Sequence, residues 1–98
     1  MSNKKSELQF FKDVWAHWHL LNATKCVECG QPLKFHPAHV SHILSKGAYP
    51  KFRLNPLNVK PLCLEHHQQY ETGKRSEMKI YKFVSELSEK LKAQYYED

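Results

Sequence analysis

Glycine is scarce in this chain, three in 98 residues, and no stretch is repetitive or rich in Gly, Ser or Pro, which excludes a flexible linker between two domains. Long apolar runs are absent too: nothing approaches the roughly 20 residues that span a bilayer. Met1 to Glu7 is polar and lysine-bearing, with no signal h-region after it, so the expected location is the cytoplasm, away from membranes. Cysteine is both rare and odd in number. Three of them cannot form a complete disulfide set within one chain, and a reducing cytosol disfavours disulfides further, so metal ligation is their better use. Acidic residues are outnumbered, 10 Asp and Glu against 15 Lys and Arg, for a formal charge of +5. A basic surplus on a small domain suits a polyanion, although a solvated surface gives the same count. One zinc ion with three thiolates would lower that charge by one.

What remains fits a single α+β domain over 1–98, short enough that something besides a core should help hold it. Over 6–22, Leu8, Phe11, Trp15 and Trp18 recur at helical spacing, Val14 and Leu21 widen the stripe, and Ser6 with Gln9 has the form of a capping box. The region 24–58 breaks into short Pro- and Gly-bearing pieces. It reads as a knuckle at Cys26-Val27-Glu28-Cys29-Gly30 and then a hairpin: a strand Ala38 to Leu44, a turn at Ser45-Lys46-Gly47 and a strand Asn58 to Leu62, both kept short by Pro56 and Pro61. Cys63 to Thr72 predicts a short helix stopped by Gly73. Ser76 to Tyr95 predicts an amphipathic helix with Ser76 as N-cap and Ile80, Phe83, Val84, Leu87 and Leu91 on one face.

Cys26-x-x-Cys29 and Cys63-x-x-His66 are two half-sites of the kind that together give structural Zn²⁺ its tetrahedral N/S shell, and Gly30 suits the chain reversal between thiolates. The competing reading makes Cys26 and Cys29 a redox pair and Cys63 a buried apolar residue. A closed four-ligand site has no open position, so such a zinc holds the fold and chemistry lies elsewhere.

Five of the seven histidines, His36, His39, His42, His66 and His67, fall between the first cysteine pair and Gly73. Three pieces, Ser41-His42-Ile43, then Asn58-Val-Lys-Pro-Leu-Cys63, then Leu64-Glu65-His66-His67, resemble the HNH, or ββα-metal, nuclease motif. The stretch from His42 to Leu62 is similar to phage and prophage recombination-associated members. The resemblance covers about Cys26 to Gly73 and implies a zinc-stapled ββα-metal core flanked by the two amphipathic helices. It implies a DNA endonuclease of a bacterial or phage-infected cell, acting in recombination or DNA processing, with one catalytic divalent metal (Mg²⁺, Mn²⁺, Ni²⁺ or Zn²⁺). His42 would be the general base, a role suited to imidazole near neutral pH. His67 would bind the metal, and Asn58 would either ligate it or fix the His42 ring. Where the family often carries Asp or His just before the base, this chain has Ser41, which leaves the metal a ligand short. His39, Glu71 or water are the candidates to replace it.

Lys46, Lys51, Arg53 and Lys60 surround these residues in sequence and are candidate phosphate contacts, with Lys74 and Arg75 beyond; Tyr49 and Phe52 interleave as base contacts or core. His17, His19 and His36 read as surface residues. Two other functions stay open: a non-catalytic zinc module binding nucleic acid on the same scaffold, and a docking surface on the apolar helices for a second copy or a larger phage or host protein.

Overall fold

The computed structural model describes residues 6–97, so the lysine-bearing start of the chain lies outside it. Helix α1 spans Glu7–Leu20, strand β1 Val40–His42, strand β2 Val59–Pro61, helix α2 Leu64–Glu71 and helix α3 Tyr81–Glu97. The two strands pair antiparallel with Val40 opposite Pro61, Ser41 opposite Lys60 and His42 opposite Val59. Among the described residues no helix is long and apolar enough to cross a membrane.

The strand alternation divides the interior in two. Val40 and Val59 pack with Phe10, Phe11, Val14 and Trp15 of α1. Ile43, Leu44 and Leu62 pack with Tyr70 of α2, Met78, Val84 and Leu91 around Cys26 and Cys63. The short sheet is thus covered by α1 on one side and by α2 and α3 on the other, as a two-residue side-chain period requires.

Both strands are shorter than the sequence pattern suggests. Pro37 opens a 3₁₀ turn over Pro37–His39, capped by the His36 ring accepting from the Ala38 amide, so regular strand begins only at Val40. Pro61 has no N–H to extend the other strand. Bonds from Leu62 N to His39 O (3.0 Å) and Ile43 N to Asn58 O (2.7 Å) carry the pairing one step beyond each end. Between the strands, the chain after Leu44 turns at 46–48 and passes through two further 3₁₀ turns, Pro50–Phe52 and Pro56–Asn58.

The helices also differ from their sequence patterns at particular residues. Ser6 Oγ accepts from the Gln9 amide, but the Gln9 side chain donates to Asp13 Oδ1 (2.9 Å) instead of completing the capping box. Phe10 is buried while Leu8 and Leu21 are exposed, because α1 meets the sheet one residue round from the expected stripe. Phe83 is likewise exposed, whereas Val84 and Leu91 are buried. Ser76 does not cap the last helix: it lies in a 3₁₀ turn, Arg75–Glu77.

The cap comes instead from across the molecule. The Glu28 carboxylate, inside the Cys26-x-x-Cys29 loop, accepts from the Lys79 amide (2.8 Å) and the Ile80 amide (3.0 Å). It satisfies free donors at the start of α3 and places a negative charge at the positive end of the helix dipole. Glu28→Ala is therefore expected to cost about 1 kcal/mol, roughly 4–8 °C in melting temperature for a domain of this size. A thermal melt within a degree of the parent would show that this cap contributes nothing.

Candidate functional site

The sulfurs of Cys26, Cys29 and Cys63 and a ring nitrogen of His66 all lie within 4.8 Å of one another, a group that could hold a metal ion. The first pair sits on a tight turn closed by Gly30 N to Cys26 O (2.8 Å), with Gly30 at φ 78°, where a side chain would be strained. The second pair comes from Cys63, at the N-cap of α2, and His66 in its first turn, and the two segments are tied by Val27 N to Pro61 O (3.0 Å). His66 Nδ1 approaches Cys63 Sγ to 3.2 Å and Cys26 Sγ to 3.7 Å. A redox pair of Cys26 and Cys29 alone would leave that approach without a purpose.

The electrostatics differ between the thiols. Burial pushes the Cys26 thiol up, but the amides of Cys63, Cys29 and Glu28 outweigh it and hold the thiol at about 7. Burial pushes the Cys63 thiol up, and the neighbouring Cys26 adds to it. Backbone donors converging on a sulfur favour thiolate, the form that ligates metal.

A second site lies apart from this cluster. A cleft of about 410 Å³ opens between the first turn of α1, β1 and α2, and His42, His67 and Glu71 face it together with Glu7 and Lys46. His42 leaves β1 on the α1 side, its ring 6.1 Å from that of Phe11. Its Nε2 lies 2.9 Å from the Arg53 carbonyl, to which an N–H donates, which leaves Nδ1 with its lone pair. His67 Nδ1 donates in turn to the Ala38 carbonyl, and its Nε2 lies 3.7 Å from Glu71 Oε2, one helical turn on. Each imidazole is thus oriented by a backbone carbonyl, with its second nitrogen available.

Two residues expected at this site are elsewhere engaged. Asn58 is fully buried, its amide accepting from Leu44 N (2.8 Å) and donating to Leu44 O (3.0 Å) and Phe52 O (3.3 Å). It therefore neither holds the His42 ring directly nor points to the cleft; it ties down the loop whose Arg53 carbonyl does hold the ring. His39 is in the 3₁₀ turn, not on the strand, and its Nδ1 bonds the Lys34 carbonyl (2.8 Å) beside the rings of Trp15 and His36. Of the proposed substitutes for Ser41, Glu71 alone lines the cleft. Ser41 itself is buried on the opposite sheet face from His42.

The candidate phosphate contacts separate in the same way. Lys46 lines the cleft and Arg53 contributes its carbonyl, but exposed Lys51 lies over the Tyr95 ring (4.7 Å) of α3, and Tyr49 and Phe52 pack edge-on against the same ring at 5.0 and 5.1 Å. Lys60 is not a surface cation at all. It is buried, with Nζ 3.2 Å from Ser41 Oγ, 3.3 Å from His42 O and 3.4 Å from the centre of the Tyr70 ring. Its position alternates with Val59 and Pro61, so a two-residue period put it on the α2 side.

Burial lowers the Lys60 ammonium from 10.5 to about 7. Between those values the unfolded chain binds the extra proton, so stability rises as pH climbs from about 7 toward 10.5, by at most ~1.4 kcal/mol per pH unit. Lys60→Met should flatten that rise. Urea unfolding of both proteins at pH 7 and 9.5 would reveal it, and parallel pH profiles would contradict it.

Glu7, Glu28 and Phe10 are the contributors that sequence patterns did not reveal. A first-turn acid and a loop acid have ordinary surface explanations, and their partners, Lys46 and the Lys79 and Ile80 amides just ahead of α3, are 39 and 51–52 positions away. No family model or curated protein matches the sequence, and no solved structure matches the fold.

Proposed function

We propose that this chain is a metal-dependent DNA endonuclease of the HNH type, with a structural zinc on Cys26, Cys29, Cys63 and His66. The observation that carries this reading is the pair of carbonyl-oriented imidazoles, His42 and His67, lining one cleft beside Glu71 and Lys46. Three thiolates and one imidazole suit Zn²⁺ above harder cations, and imidazole with carboxylate at His67 and Glu71 suits Mn²⁺, Ni²⁺ or Zn²⁺, with Mg²⁺ held more weakly. A divalent cation bound there supplies Lewis acidity to the phosphate and to the leaving 3′ oxygen.

The remaining steps belong to the protein. His42 Nδ1 takes the proton of a water attacking phosphorus, the P–O3′ bond breaks with the departing 3′ oxygen taking a proton from solvent water, and the Arg53 carbonyl stabilises the resulting imidazolium through Nε2–H. Asn58 fixes the loop that presents that carbonyl. Lys46 draws the backbone toward the cleft.

Incubating the protein with supercoiled plasmid and each of Mg²⁺, Mn²⁺, Ni²⁺ and Zn²⁺ tests this. Nicking with at least one is expected. Binding without nicking under all four would favour the second reading, a zinc-stabilised nucleic-acid-binding module; the placement of Ser41 away from the cleft supports that reading, since it leaves His67 and Glu71 as the ligands.

A further inference from the structure

Lys46 is the sole Lys or Arg among the described residues lining the cleft, and in the free protein it is already taken. Its Nζ lies 3.0 Å from each oxygen of the Glu7 carboxylate. We propose that Glu7 is a built-in stand-in for a nucleic-acid phosphate, holding Lys46 until a backbone phosphate replaces it. The proposal rests on the cleft being where nucleic acid binds, not on cleavage.

The chemistry of the two anions is matched. A carboxylate offers two oxygens to one ammonium, as the two non-bridging oxygens of a phosphodiester do. The pair is also weak enough to exchange, because both side chains remain accessible (53% and 29% exposed) and an exposed ion pair contributes at most about 1 kcal/mol. Glu7 is not free to drift: the turn that carries it is capped by Ser6 and followed by buried Phe10 and Phe11. Without Lys46, the ionised side chains left in the cleft are two carboxylates, Glu7 and Glu71, which repel a phosphate. The partner that releases Glu7 must therefore offer Lys46 an anion and bind elsewhere on the basic chain as well, as a polynucleotide does.

The alternative is that Glu7 is an ordinary first-turn acid that favours the helix dipole. The double variant separates the two: a competitor for Lys46 loses most of its effect once Lys46 is gone, whereas a bystander acid changes binding equally with or without Lys46.

The test uses the full chain with its bound zinc and a fluorescein-labelled DNA duplex, with Kd read by anisotropy across a KCl series without other divalent ions. Glu7→Gln should tighten binding about 2- to 5-fold. Lys46→Gln should weaken binding, and adding Glu7→Gln to it should tighten binding clearly less than Glu7→Gln does alone. An unchanged Kd for Glu7→Gln would overturn the proposal, as would equal tightening in the Lys46→Gln background, which would mean mere loss of a repulsive charge. Failure of every variant to bind the duplex would overturn it too. Tightening in a chain that nicks no plasmid would leave the proposal standing and remove the nuclease reading.

Discussion

Cys26→Ser is expected to leave this chain largely unfolded, with loss of far-ultraviolet helicity and of bound zinc. Cys26 is almost wholly buried at the centre of the core that joins Leu62, Cys63, Tyr70 and Leu91, and its sulfur faces both Cys63 and His66. The metal would tie the knuckle to the start of α2, and the Glu28 carboxylate on that same knuckle caps α3. Structural zinc in small peptides supplies on the order of 10 kcal/mol or more of apparent binding free energy, comparable to the whole ~5–15 kcal/mol that stabilises a typical domain. A serine hydroxyl keeps the volume but not the thiolate, so the variant isolates ligation from packing. A strong chelator should reproduce the effect and added Zn²⁺ reverse it. Acidification should weaken the metal as well, since protons compete for the thiolates. Native helicity and melting temperature in metal-free Cys26→Ser would refute the staple.

His42→Ala is expected to reduce plasmid nicking by about 10²- to 10⁴-fold, the range a positioned general base contributes, while the melt and duplex binding stay close to the parent. The fold should tolerate the change because the ring is half-buried at the cleft and its hydrogen bond goes to the Arg53 carbonyl, which water can satisfy once the ring is gone. That carbonyl is held by the loop that Asn58 ties to Leu44 and Phe52, not by His42. A variant that nicks at the parental rate would remove His42 from the chemistry, and one that also unfolds would assign it to structure.

The legible parts of this protein were those in which chemistry is local. The Cys-x-x-Cys and Cys-x-x-His spacings, the Ser6 cap, Gly30, the prolines that shorten the strands and the periodic face of α3 each act within a few residues, and the fold contains them in much that form. His42 and His67, grouped by the sequence motif, also line one cleft. Errors arose where a residue's partner was distant: Asn58 turned from the cleft to the loop, Lys60 from surface to interior, His39 from a strand face to a 3₁₀ turn, and the start of α3 moved from Ser76 to the amides that Glu28 caps.

The sequence alone determined which cysteine, histidine and charged side chains were available, and the periodicity that sends neighbours on a strand to opposite faces. The tertiary structure decided which of them meet, because hydrogen bonds between segments far apart in the chain fix where each side chain points. The knuckle shows both: the grouping of Cys26, Cys29, Cys63 and His66 was written in the spacing, while Glu28 found its role only when folding brought the Lys79 and Ile80 amides, just ahead of α3, within 3.0 Å.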